Sequence, residues 1–264
     1  CDHFYSFFEN PENKKKVFQA CEMYEVNQIS DLTQKVVIQG NFEYLLNEKE
    51  KTAEIHSEIK ANRNILFPRA IHYKSKEFII KSISKEAINY NSNIKTIKFQ
   101  SNSEFSLFKV SSLFFANIDC IVIPSSITVI KACSFYNCRI KELKFTKDSK
   151  LKTIELGAFM HSKIKNIHIP SCVENIRADS FFNHMHIFIL KSKKVNIKPS
   201  KDKNFILGKS NLSNDFFDVI LFSLPCDTKA VIPSTIKIIN DHSFVKNKNL
   251  QNVIFESNSI LKKI

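Results

Sequence analysis

Cys138, Ser162 and His184 occupy equivalent positions in three consecutive copies of a pattern that repeats along the chain. A thiol, a hydroxyl and an imidazole gathered at one place could act as a nucleophile and its base. If the copies stack at the spacing of paired strands, however, Cys138 and His184 are two copies, or about 10 Å, apart. That separation exceeds hydrogen-bond reach, and no carboxylate stands where it could orient the imidazole. We therefore expect a polar turn with a buried thiol and no catalytic residues.

The segment His184-Met185-His186 could offer two imidazoles to a metal ion, with Cys172 as the nearest soft ligand. Metal sites in proteins normally use three or four ligands, and no further ligand stands at a useful spacing. The chain has 7 Cys, an odd number, and no CxxC pair, which argues against a disulfide framework and against a zinc ribbon. The sequence therefore predicts no metal site, no cofactor and reduced thiols.

Composition narrows the function classes further. The 264 residues include only 3 Gly, whereas nucleotide-binding enzymes use glycine-rich loops to approach phosphates closely. With 43% hydrophobic and 25% charged residues the chain is typical of globular proteins. Its formal net charge of +13 raises the question of a polyanionic partner, which depends on where the lysines lie.

A short strand-like motif recurs along the chain, in which the first, fourth and sixth residues are apolar. Its copies are Ile94–Phe99, Ile118–Ile123, Ile140–Phe145, Ile164–Ile169 and Leu250–Phe255. The first four copies begin at intervals of 24, 22 and 24 residues. A period in this range is typical of leucine-rich repeats, in which each copy contributes one strand to a parallel sheet.

A second motif lies between these strands and ends in a small residue followed by an aromatic one. Its clearest copies are Ser134-Phe135, Ala158-Phe159, Ser180-Phe181 and Ser243-Phe244. We predict that the small residue lets the chain turn close to its neighbour and that the Phe ring fills the space between stacked turns. Proline follows some of the strands, at Pro124, Pro170 and Pro233, because it cannot continue the strand's hydrogen bonding.

Together these residues resemble the BspA-like leucine-rich repeats, whose pattern is L-x-x-I-x-I-P-x-x-[VI]-x-x-I-x-x-x-[AS]-F. The resemblance covers Phe78 to Ile264 with one interruption. It implies a β-rich leucine-rich-repeat solenoid, α+β overall, that is right-handed and has a parallel β-sheet on one face. It also implies a role in protein binding or adhesion, as in surface antigens, and it brings no catalytic residues.

The sequence predicts three segments. Residues 1–40 do not match the repeat and contain helix-start signals such as Asn10-Pro11, so we expect a short helical segment. Residues 41–79 alternate in polarity and are predicted to form an N-terminal β cap, since the end turn of a solenoid needs a cover. Residues 80–264 are assigned to the repeats, with an insertion or degenerate turn at about 190–215, expected to be a surface loop.

The outward-facing residues of the predicted strands form the candidate protein-binding face, because side chains alternate between the two faces of a sheet. These residues are Thr96, Lys98, Glu142, Lys144, Asn166, His168 and Asn252. With only two lysines this strip lacks the basic track of a nucleic-acid groove, so a protein partner is expected, with no small-molecule substrate. The alternative is polyanion binding, of nucleic acid or a heparin-like chain, by a basic loop containing Lys191, Lys193, Lys194, Lys198, Lys201 and Lys203.

No apolar stretch reaches the roughly 20 residues that a membrane-spanning helix needs, so no membrane insertion is expected in this segment. The first residues lack the features of a signal peptide. With its unpaired cysteines, this stretch predicts a cytoplasmic location. We expect the chain to be a segment of a longer protein, and a cell-surface location would then require a signal or anchor outside it.

Overall fold

The computed structural model describes most of the chain from residue 35 onward. The described residues are 35–58, 63–84, 87–88, 94–109, 112–113, 116–155, 157–177, 180, 186–190, 195–224, 228–241, 243–244, 247 and 249–264. The helix predicted within residues 1–40 falls on residues 1–34 and so lies outside the described residues. Among the described residues the regular elements are strands, with no α-helix.

The described chain begins with six strands. They are β1 (Lys35–Gln39), β2 (Phe42–Asn47), β3 (Thr52–Glu58), β4 (Asn64–Phe67), β5 (Ala70–Tyr73) and β6 (Lys76–Ile83). All except β4 join one sheet in the order β1-β2-β3-β6-β5. Alternate residues of β2 are buried, as the alternating sequence predicts.

This β structure starts earlier than predicted, because residues 35–39 form strand β1 and pair antiparallel with β2. The two strands are joined at Gly40, which has a left-handed backbone (φ +63°), and Asn41. A run of β-branched residues before a Gly-Asn pair is a hairpin signal, and this strand lies within the segment 1–40 for which a helix was expected. The division at residue 40 stays a prediction. The proposed division between a cap ending at residue 79 and repeats beginning at residue 80 stays a prediction.

In the repeat region long and short strands alternate. They are β7 (Ile94–Phe99), β8 (Leu107–Phe108), β9 (Asn117–Ile123), β10 (Val129–Ile130), β11 (Arg139–Phe145), β12 (Thr153–Ile154), β13 (Lys163–Pro170), β14 (Asn175–Ile176) and β15 (His186–Leu190). The long strands and β4 form a six-stranded sheet in the order β15-β13-β11-β9-β7-β4. The short strands β10, β12 and β14 form a second sheet.

The six-stranded sheet is parallel and in register with the predicted repeat. Ile97 pairs with Ile121, Leu143 pairs with both Ile121 and Ile167, and Ile167 pairs with Ile187. In β9, β11 and β13 the first, fourth and sixth positions of the motif, such as Ile118, Ile121 and Ile123, are buried as predicted, whereas Val253 and Phe255 in the last copy are exposed. The chain thus forms a β-solenoid of about seven turns, which confirms the predicted solenoid and its parallel sheet.

Phenylalanine rings stack from turn to turn inside the solenoid. The rings of Phe108 and Phe135 have centroids 5.0 Å apart, and those of Phe135 and Phe159 are 5.5 Å apart. Earlier in the chain Phe67 lies 5.3 Å from both Phe42 and Phe99, so the ladder reaches the N-terminal sheet. Each such ring pair contributes about 0.5–1.5 kcal/mol beyond the burial of its apolar area.

Where the small residue of the second motif is Ser, its hydroxyl links neighbouring turns. The hydroxyl of Ser134 donates a hydrogen bond to the carbonyl of Phe108 at 3.0 Å, and that of Ser180 donates to the carbonyl of Glu155 at 2.6 Å. Ser134 and Ser180 are buried, so these bonds satisfy groups that water does not reach. Serine is thus small enough for the close approach and also links one turn to the preceding one.

The interruption of the repeat contains antiparallel strands. The strands from this point on are β16 (Lys198–Pro199), β17 (Phe205–Gly208), β18 (Val219–Ser223), β19 (Lys229–Ile232), β20 (Ile238–Ile239) and β21 (Asn252–Phe255). One sheet has the order β16-β17-β18-β20, and β19 pairs with β21. The predicted surface loop is therefore partly regular, because the apolar run Phe205–Leu207 is buried and requires paired backbone.

Candidate functional site

The outer face of the six-stranded sheet carries aligned columns of side chains. Because the strands are parallel and in register, equivalent residues of successive turns are neighbours about 4.8 Å apart. One column places Thr96 beside Cys120, Cys120 beside Glu142, and Glu142 beside Asn166. These side chains are half-buried, whereas the apolar residue that follows each of them is in the core.

Glu142 is the centre of a polar cluster on this face. The side-chain amide of Asn166 donates a hydrogen bond to its carboxylate, and Nε2 of His168 lies 2.8 Å from its Oε2. The ammonium of Lys144 stands 3.6 Å from the same oxygen. Burial raises the pKa of Glu142, but the hydrogen bonds from Asn166 and His168 and the charge of Lys144 outweigh it and lower the pKa below its ordinary value. The cluster therefore holds a negative charge in a defined place.

Six of the seven predicted face residues lie on this sheet. Thr96 and Lys98 are on β7, Glu142 and Lys144 on β11, and Asn166 and His168 on β13. Asn252 is separate, because it begins β21 and pairs with Lys229 in the two-stranded sheet. The structure thus brings together the first six residues and not the seventh. Their role in binding stays a prediction.

Sequence reasoning missed two further columns of the same face. Arg139 pairs with Lys163, and both side chains are exposed. Lys141 and Lys165 hold the next exposed position of the same two strands, between pairs that are in register. The expectation of only two lysines on this face was wrong. It counted the residues on either side of the motif's fourth position and omitted those on either side of its first position. A basic residue on each side of the motif's first apolar position, as in Arg139-Ile140-Lys141 and Lys163-Ile164-Lys165, is the signal that could have revealed them.

The predicted basic loop is described in part. Lys191, Lys193 and Lys194 lie outside the described residues. Lys198 belongs to β16, while the exposed Lys201 and Lys203 are in the turn between β16 and β17. No pattern in the sequence indicated an aromatic partner for these lysines. The ammonium of Lys198 lies 4.2 Å from the ring centroid of Phe217, and that of Lys209 lies 5.1 Å from it.

Cys138 and Ser162, the two described members of the predicted column of reactive side chains, have structural roles. Cys138 is fully buried, its thiol lies 3.2 Å from the carbonyl of Phe135, and burial raises its pKa. Ser162, one turn on, donates to the carbonyl of Phe159 at 2.6 Å. Both residues close the turn three positions after the ladder Phe. His184 lies outside the described residues, so the predicted separation from Cys138 stays a prediction.

No metal-binding arrangement occurs within the described part of the chain: no three His, Cys, Asp or Glu side chains are grouped there closely enough to hold an ion. In the same residues, no helix has the length and apolar character needed to cross a membrane. The predicted cytoplasmic location stays a prediction.

The parallel sheet, its companion of short strands and the phenylalanine ladder together define a leucine-rich-repeat solenoid. More particularly, the chain belongs to the family described as BspA type leucine rich repeat region. The family model matches six copies over residues 109–214 and 221–264, which is more than half of the chain. This confirms the resemblance drawn from the repeated motifs, although the match begins later than Phe78.

Solved bacterial structures are similar to the chain at low sequence identity. The pneumococcal vaccine antigen PcpA is 18% identical with a TM-score of 0.44, over 86% of this chain and 51% of PcpA. The chain thus spans about half of that protein. A leucine rich cell surface protein from Faecalibacterium prausnitzii is 15% identical with a TM-score of 0.44, over 86% of this chain and 78% of that one. A leucine-rich repeat protein from Bacteroides ovatus is 15% identical with a TM-score of 0.48, over 85% and 69%. No curated protein matches the sequence significantly.

Proposed function

We propose that the chain is a non-catalytic scaffold for protein binding or adhesion, and that the outer face of the six-stranded sheet contacts the partner. The observation that carries the proposal is the in-register column of Thr96, Cys120, Glu142 and Asn166 across four neighbouring strands. A rigid sheet positions polar side chains without loss of further backbone entropy on binding, which favours affinity. Family membership supports the same class of function, since repeat proteins of this kind generally bind other proteins.

The polar cluster around Glu142 supplies specificity. Its carboxylate is already hydrogen-bonded by Asn166 and His168, so these three side chains are held in fixed orientations before a partner arrives. A partner that leaves any of them buried and unpaired would lose about 1–3 kcal/mol per group, which discriminates against wrong partners. The half-buried Val122 and the exposed Leu66, on the same sheet, offer the apolar contact that protein interfaces contain.

A pair of matched variants tests the proposal. The chain is used as bait, and proteins captured by the native protein are compared with those captured by Asn166→Arg, which adds a bulky charge to the face. The control is Lys150→Glu, an exposed position in the turn after β11. We expect the face variant to lose specific partners that the control retains, with both variants melting at the native temperature. Equal capture by both variants would overturn the assignment of this face.

A second function, polyanion binding by the basic hairpin of β16 and β17, is supported by a specific observation. The ring of Phe217 holds the ammonium groups of both Lys198 and Lys209, so two cations are gathered at one place. If they contact a polyanion, Lys198→Gln combined with Lys209→Gln should lower the salt dependence of heparin retention, by about one counterion for each lost contact. An unchanged elution salt concentration would remove this function from consideration.

A further inference from the structure

We infer that the outer face of the six-stranded sheet takes a partner segment rich in Asp and Glu. This inference rests on the proposed function and specifies the chemistry of the partner. The strands β7, β9, β11 and β13 carry seven cationic side chains on this face, against two carboxylates. The cations are Lys95, Lys98, Arg139, Lys141, Lys144, Lys163 and Lys165, and the carboxylates are Asp119 and Glu142.

Both carboxylates already form ion pairs or hydrogen bonds with other side chains of the face. Asp119 forms an ion pair with Lys141 at 2.7 Å, and Glu142 binds Asn166, His168 and Lys144. Among the residues that the structure describes, no carboxylate lies within ion-pair distance of Arg139, Lys163 or Lys165. These three cations therefore have charge available for an external anion.

The cations are also placed where they oppose folding. Arg139 and Lys163 are directly paired across β11 and β13, and the exposed Lys141 and Lys165 each lie between residues whose pairs are in register. Like charges opposite one another on neighbouring strands are destabilising. A neutral residue in place of either Arg139 or Lys163 would remove no contact in the core, because both side chains are exposed. Lys141 is compensated by Asp119, but Arg139 and Lys163 have no carboxylate partner within the described part of the chain. A local rule broken in this way on an exposed face is typical of a functional surface.

The detailed layout favours an acidic polypeptide over a nucleic acid. The carboxylates of Asp119 and Glu142 interrupt the cations. A peptide can place uncharged residues opposite these two carboxylates, whereas a nucleic acid carries a phosphate at every nucleotide. Single-stranded nucleic acids also stack their bases on aromatic rings, and the described outward side chains of β7, β9, β11 and β13 include no Phe, Tyr or Trp, while the imidazole of His168 is already bonded to Glu142. Val122 and Leu66 on the same face suit the mixed surface of a protein, and Arg139 can bind a carboxylate with two parallel hydrogen bonds.

Two triple variants with the same change in net charge test the inference. The face variant combines Arg139→Glu, Lys163→Glu and Lys165→Glu. The control variant combines Lys147→Glu, Lys150→Glu and Lys152→Glu, which are exposed positions outside the face. Circular dichroism and thermal melts establish that both fold. The probe is a fluorescein-labelled poly-L-glutamate peptide, measured by anisotropy, with a heparin fragment and a single-stranded oligothymidine measured in parallel.

We expect the native chain to bind poly-glutamate and the face variant to bind it at least about tenfold more weakly, since three exposed charge contacts are reversed. The control variant should change the affinity less than about twofold. Equal losses in the two variants would show a non-specific charge effect and overturn the inference, as would absence of poly-glutamate binding. Tighter binding of heparin or oligothymidine, lost only in the face variant, would overturn it in favour of another polyanion.

The same variants separate this inference from the proposed function. If a captured protein partner is lost with Asn166→Arg but retained by the triple face variant, the face binds protein and the acidic character of the partner is refuted. If the captured partner is retained by both variants, the assignment of the face itself fails.

Discussion

Replacement of Phe135 by Ala tests the claim that the phenylalanine ladder holds the solenoid together. The Phe135 side chain is fully buried and its ring contacts those of Phe108 and Phe159 on the turns before and after it. Removing about 120 Å² of buried ring surface at about 25 cal/mol per Å² costs about 3 kcal/mol. Loss of two ring contacts and the residual cavity add to this, so we expect a total loss of about 4 kcal/mol.

Phe244 provides the matched control, because it holds the same place in the motif but is only partly buried and contacts one described ring, Phe205, at 6.0 Å. Phe244→Ala should cost about 2 kcal/mol or less, since less ring surface leaves water on folding. The assay is urea unfolding followed by circular dichroism, which suits a chain with no Trp. Equal losses for the two variants would refute the reasoning, because stability in a solenoid depends on nearest-neighbour contacts.

Two further substitutions and one labelling experiment test other parts of the structure. Burial raises the pKa of Glu54, but hydrogen bonds from Ser84, Lys109 and Ser82 lower it overall. The ionised carboxylate therefore stabilises the fold above about pH 4.3, the pKa of Glu in the unfolded chain, and this stabilisation is lost as the pH falls through the lower pKa of the folded state. Glu54→Gln should therefore reduce the loss of stability on acidification, and identical acid dependences in urea melts would contradict this. Gly157 has a φ of +62°, and an added methyl group would meet only ordinary van der Waals contacts with Met160 and Cys133, so Gly157→Ala should cost about 1 kcal/mol from backbone strain, and an unchanged unfolding midpoint would argue against it. Iodoacetamide labelling followed by peptide mass spectrometry should modify the half-buried Cys120 before the buried Cys138, whose pKa is raised, and the reverse order would be inconsistent with the structure.

The repeat was predictable because each copy repeats the same solution to one packing problem. A residue such as Ile121 must be buried in every turn, so its apolar character recurs at a fixed interval and reveals the parallel sheet. The ladder followed for the same reason, since Phe135 and Phe159 fill the same space in consecutive turns. Where the repeat stops, this signal stops too, and the antiparallel pairing of Phe205–Gly208 with Val219–Ser223 was not predicted.

The candidate site was predictable only in part. Alternation along a strand placed Glu142 and Asn166 on the outer face, but it did not show that Asn166 and His168 both bind the Glu142 carboxylate. It also did not show that Phe217 holds Lys198, because these residues are far apart in the chain and belong to an irregular region. Contacts of this kind depend on side-chain rotamers and on strand register, which a single sequence does not specify.

The sequence by itself determined that the chain is a leucine-rich-repeat solenoid, because burial of equivalent residues in every turn requires a periodic pattern of apolar residues. Only the tertiary structure decided which charges meet on its surface. Arg139 and Lys163 are adjacent because β11 and β13 pair in parallel register, and Asn252 is separated from the face because β21 pairs elsewhere. The physical reason is that buried apolar positions recur at regular intervals in the sequence, whereas electrostatic contacts depend on distances between side chains on different strands.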